Sequence, residues 1–390
     1  MWGFTMKKVV LLFFVFLLCF STLGFYSAFA ENQDDALAKN CKAAYVCDWQ
    51  SGTEIYSRNE HVHLPIASMC KIMTLLLCFE AESNGQISFE QEITVSEKAA
   101  SMGGSQVFLA ANSKYKINDL VKSICIASAN DSCVAMAETI AGSEDLFVKK
   151  MNEKAKILKM DDTIFSNCTG LPKQGQYSCA KDVATMLREL LKYRRYFEFS
   201  KIWMDKIHHE EDRITEMANT NKLIRNYQGC DSGKTGYTAE AGYCLAASAL
   251  RGNMRIVSVV IGGVDSATRF NATKEMFDYS FANFESKCVL EPERVLEEMA
   301  SVRGGKLKEI HVIPERGAYL FSLKGGSDNI NLQFQFEQVK APVAIGDRIG
   351  EVIVYKNGVE AERINLLANE NSDKVSYFDS VHDIAKDWCI

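Results

Sequence analysis

Three short motifs lie in order along this chain, and a fold in which they act together must bring three distant segments into contact. The motifs are Ser68-Met69-Cys70-Lys71, Ser128-Ala129-Asn130 and Lys234-Thr235-Gly236. Taken singly the motifs say little. By chance, S-x-x-K is expected about twice in a chain of this length, and K-T-G about once in ten such chains. Their ordered combination predicts a serine acyl-transfer site.

The first motif lies where a predicted hairpin is followed by a helix. Segments 43–47 and 55–57 predict paired strands, and apolar residues at helical spacing after Pro65 predict a helix with Ser68 in or near its first turn. Side chains three residues apart share one helix face, so the amine of Lys71 can reach the Ser68 hydroxyl and act as its base.

A lysine that acts as a base near neutrality must have a lowered pKa. The reference pKa of the lysine amine is about 10.4. Burial or a nearby positive charge would lower it, and Lys234 is the candidate for that second charge. The N-terminal end of the helix also favours negative charge that develops near Ser68.

The second motif falls between two predicted helices. Apolar residues from Leu120 to Cys125 predict one helix, and those from Val134 to Ile140 predict the next. Ser128 and Asn130 can pass a proton to the leaving group and bind the substrate amide. The alternative is that both residues cap the second helix, which is the more typical role for this motif alone.

The third motif precedes two apolar segments, 243–250 and 256–261, that predict buried strands of one sheet. Gly236 would allow a substrate backbone to lie close against the strand edge. Lys234 and Thr235 offer a charge and a hydroxyl to a carboxylate, and the alternative is a lysine in a turn.

Residues 1–30 predict a secretory signal peptide. Lys7 and Lys8 precede an apolar run, and Ala28-Phe29-Ala30 fits an A-x-A cleavage site. The run is shorter than the roughly 20 apolar residues of a membrane span. The protein is therefore expected to be exported, and an uncleaved anchor is the alternative.

The composition of the exported part limits its partners. Without the two leader lysines the chain has 42 basic and 50 acidic residues, a formal charge of −8, so no nucleic-acid partner is expected. Its length suggests two domains, with three as the alternative. Twelve of the 13 cysteines remain, scattered without zinc-site or disulfide-scaffold spacing. They predict buried free thiols, with one or more disulfides as the alternative.

The surroundings of the motifs resemble the penicillin-recognising serine D-alanyl-D-alanine carboxypeptidases of low molecular weight, peptidase family S11, from about Ala43 to Phe284. The overall sequence is most similar to their sporulation-associated Gram-positive type. The segments that carry the resemblance are 65–74, 127–131, 169–172, 233–238 and 241–243. It implies an α/β (α+β) catalytic domain of the penicillin-binding/β-lactamase type over residues 31–285, with an antiparallel sheet flanked by helices.

The resemblance also implies a reaction and its residues. A terminal D-alanine would be removed from peptidoglycan stem pentapeptides through an acyl-enzyme on Ser68, outside the cytoplasm, at the cell wall or the outer face of the cytoplasmic membrane. β-Lactams would inhibit, and no metal or organic cofactor is implied. The implied catalytic residues are Ser68, Lys71 and Ser128, and the implied substrate-binding residues are Asn130, Lys234, Thr235, Gly236, Tyr237 and Arg269.

Within that implied site, Asn130 would bind the peptide amide, and Thr235 and Arg269 the terminal carboxylate. The backbone N–H groups of Ser68 and Tyr237 would form the oxyanion hole. Tyr237 departs from the family, which frequently has histidine there. The departure leaves the backbone donor in place.

Other readings stay open. A class A β-lactamase needs a glutamate that positions water, and no E-x-x-L-N segment lies between Asn130 and Lys234. Glu189, in a helix-like pattern, is expected to be solvated or paired in a salt bridge. A DD-endopeptidase or transpeptidase would use the same acyl-enzyme, and a non-catalytic wall-binding protein would retain only the fold.

The chain beyond residue 285 has a different pattern. Strictly alternating residues 330–336, and 349–355 before a Lys-Asn-Gly turn, predict a small all-β sandwich domain over 286–368. Residues 369–390 predict an amphipathic helix in peripheral contact with a membrane. Its acidic residues outnumber its lysines, so packing on a protein is the alternative.

Overall fold

The computed structural model describes residues 37–377 of the chain. Within them, residues 37–251 with 255–282 form one compact unit, and residues 283–377 with 252–254 form a second. The predicted signal peptide, residues 1–30, lies outside the described residues. Among the residues that are described, no helix is both long and apolar enough to cross a bilayer.

The chain up to Asn283 contains both strands and helices. The strands are β1 (Ala43–Asp48), β2 (Glu54–Arg58), β3 (Glu92–Thr94), β4 (Lys114–Lys116), β5 (Met204–His208), β6 (Ile214–Ala218), β7 (Cys230–Thr238), β8 (Gly242–Arg251) and β9 (Met254–Gly263). The helices are α1 (Lys71–Ser83), α2 (Glu97–Ala100), α3 (Ile117–Ala127), α4 (Asn130–Ala141), α5 (Glu144–Ile157), α6 (Ala180–Leu190), α7 (Tyr196–Ser200), α8 (Leu223–Asn226) and α9 (Ser266–Asn283).

The main sheet has five strands in the order β2-β1-β9-β8-β7, with antiparallel pairs between β1 and β2, β1 and β9, and β7 and β8. β1 and β9 are buried along almost their whole length, which suits their β-branched and aromatic residues. Helix α6 packs on β1 and β8. β7, which carries the third motif, is therefore an edge strand, open to a ligand on one side.

The local predictions for this unit are confirmed. The opening hairpin is β1 and β2, and the two apolar segments after the third motif are β8 and β9. The helix expected after Pro65 is α1, preceded by a 3₁₀ turn, Ala67–Cys70, that contains Ser68. One hydrophobic core joins the sheet to α1, which buries ten of its thirteen residues.

The second unit is all-β, as predicted. Its strands are β10 (Phe284–Leu290), β11 (Met299–Arg303), β12 (Glu309–Pro314), β13 (Ala318–Leu323), β14 (Ile330–Phe336), β15 (Val339–Lys340), β16 (Arg348–Lys356) and β17 (Val359–Ala368). They form a six-stranded sheet, β14-β16-β17-β12-β11-β15, and a two-stranded sheet, β10-β13. Leu290 and Leu320 of the small sheet share one core with Val352 and Leu366 of the large sheet. The predicted fold class is confirmed.

The prediction of a C-terminal helix from residue 369 is wrong at its start. Ser372 forms a β-bridge with Val343, and Lys374 forms one with Gly305. Residues 369–376 are not helical, because their backbone groups pair with the β-domain instead. The rest of the predicted helix, from residue 378, lies outside the described residues.

Candidate active site

The nucleophile candidate lies in a strained turn. Ala67, directly before Ser68, has φ of 46°, in the left-handed region that a non-glycine residue rarely adopts. The 3₁₀ turn that follows places side chains three residues apart in nearly eclipsed positions. Lys71 Nζ accordingly lies 3.1 Å from Ser68 Oγ. The structure thus brings together the serine and lysine of the first motif as predicted.

Lys71 is fully buried, and burial is the first cause that lowers the pKa of its amine. Its Nζ donates a hydrogen bond of 2.6 Å to the carbonyl oxygen of Thr169. A neutral amine can make that bond with one N–H and still offer its lone pair to the Ser68 hydroxyl proton. The arrangement can therefore supply a base next to the nucleophile.

The Thr169 carbonyl is held by a short loop that fits closely against the nucleophile turn. Asn167 Oδ1 accepts hydrogen bonds from the amides of Thr169 and Gly170. Gly170 has φ of 81°, and a Cβ there would lie 2.0 Å from the carbonyl oxygen of Ala67. Only glycine fits at this position.

The second motif forms the junction between α3 and α4. Ser128 ends α3 in the left-handed conformation, with φ of 62°. No side chain caps α4 at Ala129. Ser128 Oγ is buried and has no hydrogen-bond partner among the described residues, and Asn130 Nδ2 donates to the carbonyl of Gly103 at 2.7 Å. The capping alternative for this motif is therefore wrong, and the Ser128 hydroxyl is left available to a substrate.

Asp131 organises the loop beside Asn130. Its carboxylate, fully buried, accepts hydrogen bonds from the backbone N–H groups of Val107, Leu109 and Ser132. The same loop bonds Asn130 through the carbonyl of Ser105. A carboxylate that receives several N–H donors is a strong anchor because each bond is charge-assisted.

Lys234 of the third motif is the second buried lysine of the site. Burial, and after it the charge of Lys71, lower the pKa of Lys234 to about 7. Its Nζ donates to the carbonyl of Thr235 at 3.1 Å. The charge of Lys71 thus lowers the pKa of Lys234, whereas burial alone is the cause that lowers the pKa of Lys71, so the predicted effect of Lys234 on Lys71 stays a prediction.

Thr220 connects the second and third motifs. Its Oγ1 accepts a hydrogen bond of 2.8 Å from Thr235 Oγ1, and its backbone N–H donates to the carbonyl of Ile126 near the end of α3. The hydroxyl of Thr235 is thus fixed in direction by a residue outside the motifs.

β7 runs against the nucleophile turn at Gly236. A Cβ at Gly236 would lie 2.8 Å from the carbonyl oxygen of Ile66 and 3.2 Å from the amide nitrogen of Ser68. The backbone of β7 and the amide of Ser68 therefore border one space. The next residue, Tyr237, is 56% exposed and packs its ring on Tyr243 at a centroid distance of 4.4 Å.

Arg269, at the start of α9, reaches the same strand. Its guanidinium donates to the carbonyls of Gly236 and Cys244, at 3.1 and 3.3 Å, and lies over the ring of Tyr243. Its Nε is buried without a partner in the described part of the chain. Arg269 thus contacts β7 through the carbonyl of Gly236, and its positive charge lowers the pKa of Lys234.

Sequence reasoning missed four residues of this site: Thr169, Gly170, Thr220 and Asp131. Thr169 acts through a backbone carbonyl, which leaves no trace in residue type. Gly170 and Asp131 lay within segments quoted for the resemblance, but what each contacts becomes visible only in three dimensions.

The cysteines in the described part of the chain are free, as predicted. The eleven described cysteines form no disulfide, and ten of them are buried. Cys70 and Cys133 lie closest to the chemistry, and burial raises the pKa of each thiol to about 12. Thiols with so high a pKa are poor nucleophiles near neutrality.

Glu189 does not serve the site. It lies on α6, where its carboxylate pairs with Lys192 at 2.6 Å, as the sequence suggested. Glu189 is the one residue considered as the water-positioning glutamate of a β-lactamase, and this ion pair gives no support for that role.

Comparison with known proteins agrees with this geometry. Residues 28–265 match the D-alanyl-D-alanine carboxypeptidase family, and residues 284–374 match the C-terminal domain of penicillin-binding protein 5. The chain is 37% identical over 367 residues to the D-alanyl-D-alanine carboxypeptidase DacF of Bacillus subtilis, covering 93% of this chain and 94% of that protein.

Solved structures support the same assignment. Penicillin-binding protein 5 of Haemophilus influenzae superposes with a TM-score of 0.66 and 26% identity, over 86% of this chain and 98% of that one. Penicillin-binding protein D2 of Listeria monocytogenes, solved with ampicillin bound, superposes with a TM-score of 0.56 and 27% identity, over 63% of this chain and 98% of that one. The chain belongs to the serine-type D-alanyl-D-alanine carboxypeptidases of peptidase family S11.

Proposed function

We propose that Ser68, Lys71 and Ser128 carry out the D-alanyl-D-alanine carboxypeptidase reaction of this family, on stem peptides of peptidoglycan. The observation that carries the proposal is the distance of 3.1 Å between Lys71 Nζ and Ser68 Oγ, with the amine fully buried and its pKa lowered. Burial favours the neutral amine, which is the form that can accept a proton.

Acylation follows from this arrangement. Lys71 takes the Ser68 proton as Oγ attacks the carbonyl carbon between the two terminal D-alanines. Negative charge then develops on the carbonyl oxygen, between the backbone N–H groups of Ser68 and Tyr237. The peptide bond breaks, and Ser128 Oγ, which has no partner of its own, relays to the leaving D-alanine nitrogen the proton that Lys71 took from Ser68, so that Lys71 is neutral again.

Deacylation returns the enzyme to its starting state. Water attacks the ester carbonyl of the acyl-enzyme while Lys71 accepts a proton from it, and Lys71 then passes that proton to Ser68 Oγ as the ester bond breaks. The products are D-alanine and a stem peptide shortened by one residue. A β-lactam would enter by the same acylation, and the Listeria relative was solved with ampicillin bound.

Substrate binding is assigned to the third motif and its neighbours. Lys234 and Thr235 would hold the terminal carboxylate, and Arg269 would add positive charge while it braces the carbonyl of Gly236. The Nδ2 of Asn130, now bonded to Gly103, would also reach the peptide amide. Gly236 keeps the strand edge clear for the substrate backbone.

The remaining parts of the proposal concern location. The family acts outside the cytoplasm, and we assign residues 1–30 to export, 31–285 to catalysis and the part from 286 to an appended β-domain. The pairing of Ser372 with Val343 extends that domain past 368. Peripheral membrane contact is assigned to the segment from 378 onward.

The experiment measures D-alanine release from diacetyl-Lys-D-Ala-D-Ala by the purified protein, beside Ser68→Ala and the exposed-site control Ser101→Ala. Release should fall at least a thousandfold in Ser68→Ala and stay within about twofold in the control. Intact mass after incubation with penicillin should show one adduct, absent in Ser68→Ala. Unchanged release in Ser68→Ala would overturn the proposal, and cleavage of cross-linked peptides alone would favour an endopeptidase.

A further inference from the structure

A group of metal-ligating side chains lies outside the site described above. His61 Nδ1 lies 2.7 Å from Asp162 Oδ2, and Cys179 Sγ lies 4.0 Å from the same oxygen. The three ligand atoms of His61, Asp162 and Cys179 all lie within 4.8 Å of one another. They come from three segments: the loop after β2, the loop after α5 and the residue before α6.

We propose that His61, Asp162 and Cys179 form a binding site for a zinc ion, with His63 orienting the carboxylate. Imidazole, carboxylate and thiolate are the three ligand types that zinc takes in proteins. A three-ligand set leaves the fourth tetrahedral position to water.

The spacing requires only small movements. Zinc–ligand bonds of about 2.0–2.1 Å to N or O and about 2.3 Å to S place neighbouring ligand atoms roughly 3.3–3.6 Å apart in a tetrahedron. The His61–Asp162 pair would open by about 0.6 Å and the Asp162–Cys179 pair would close by about 0.5 Å. The His61 and Cys179 ligand atoms lie within 4.8 Å of one another and would close by about 1.2 Å at most. His61 is exposed, so an ion can enter from its side.

The surrounding residues hold these ligands in place. His63 Nε2 lies 2.9 Å from the other carboxylate oxygen of Asp162, and its ring stacks on Tyr177 at 4.2 Å. The amide of Asp162 donates to the Asp182 carboxylate. Cys179 Sγ accepts from the amide of Asp182 at the start of α6. Hydrogen-bonded ligand supports of this kind are typical of protein zinc sites.

An ion here would tie together segments that lead into the catalytic centre. Leu64 pairs with Ser178, and Ile164 pairs with Tyr177, in two β-bridges. Ser68 follows Leu64 closely, and Thr169, whose carbonyl binds Lys71, follows Ile164. The assigned role of the ion is structural, since none of its ligands contacts Ser68 or Lys71 in the described structure.

The test titrates the metal-free protein with Zn²⁺ alone, by calorimetry, in a Cys288→Ser background that removes the exposed thiol. One ion per chain is expected. His61→Ala and Cys179→Ser should each weaken binding at least tenfold, and His63→Phe, which keeps the stacked ring, by 10- to 100-fold. Serine at 179 retains a residue suited to the helix N-cap, so folding is preserved.

Two further measurements make the result decisive. Co²⁺ in place of zinc should show thiolate charge-transfer absorption, and Cys179→Ser should remove it. Zinc at about a hundred times its Kd should lower the unfolding constant about a hundredfold. His311→Ala, which breaks a His–Glu pair in the β-domain, is the matched control and should change nothing. Zinc binding that survives in His61→Ala, or no stoichiometric binding by the parent, overturns the proposal.

Discussion

Replacing Gly236 by alanine tests the contact between β7 and the nucleophile turn. The added methyl would lie 2.8 Å from the Ile66 carbonyl oxygen and 3.2 Å from both the Ala67 Cβ and the Ser68 nitrogen. Two of these three atoms are backbone, and the Ile66 carbonyl already accepts a hydrogen bond from Met69. The turn cannot yield freely, so strand and turn must separate.

The size of the effect follows from the geometry. Restoring ordinary contact at about 3.4 Å requires a separation of roughly 0.6 Å, and a misplacement of 1 Å can cost about a hundredfold in rate. We therefore expect kcat/KM for D-alanine release to fall 10- to 100-fold in Gly236→Ala. That loss corresponds to about 1.4–2.7 kcal/mol of transition-state stabilisation.

The assay compares D-alanine release and the rate of penicillin acylation in the parent, Gly236→Ala and Gly103→Ala. The control, Gly103→Ala, keeps the backbone carbonyl that accepts a hydrogen bond from Asn130 Nδ2. Its added methyl would have no atom within 4 Å. Circular dichroism and Tm establish that each variant is folded. If Gly236→Ala acylates within twofold of the parent, the close approach of β7 to Ser68 does not govern catalysis.

Further expectations concern Lys234, Asp131 and Glu189. The Lys234 pKa of about 7 lies below that of an unfolded lysine, so the unfolded chain binds more protons between pH 7 and 9 and stability rises with pH there. In urea denaturation, Lys234→Met should reduce the increase in the free energy of unfolding between pH 7 and 9 by about 1–3 kcal/mol. An unchanged dependence of that free energy on pH would contradict the lowered pKa of Lys234. Asp131→Asn should lose about 2 kcal/mol of stability, because an amide cannot accept all three buried N–H groups; an unaltered Tm would count against this anchor. Glu189→Gln removes only a partly exposed ion pair, so D-alanine release and acyl-enzyme lifetime should stay within twofold; a large change in lifetime would favour the β-lactamase alternative.

Much of the fold and part of the site were predictable because their signals are local. The alternation in Ile330–Phe336 gave a strand with those bounds, and the periodicity after Pro65 gave α1. The spacing of Ser68 and Lys71 needed only a helical turn to become a contact, and the turn is a 3₁₀ helix, in which that spacing is best aligned.

The parts that were not predictable depend on tertiary packing. Nothing in the residue type of Ala67 or Ser128 indicates a left-handed backbone, since each is held there by the segments around it. The start of the helix predicted for residues 369–390 is wrong for a related reason. Ser372 and Lys374 form β-bridges with Val343 and Gly305, which lie far away in sequence.

The two buried lysines have different proposed roles: Lys71 is the base, and Lys234 binds the substrate carboxylate. Each lies in a low-dielectric site, and the charge of Lys71 disfavours the charge of Lys234. A substrate carboxylate bound beside Lys234 and Arg269 would favour the charged form of Lys234. A charged Lys234 would in turn favour the neutral form of Lys71, the amine that contacts Ser68. On the proposed roles, substrates that end in a free carboxylate would thus help to keep Lys71 neutral, as the base that activates Ser68, whereas a peptide blocked as its C-terminal amide would not.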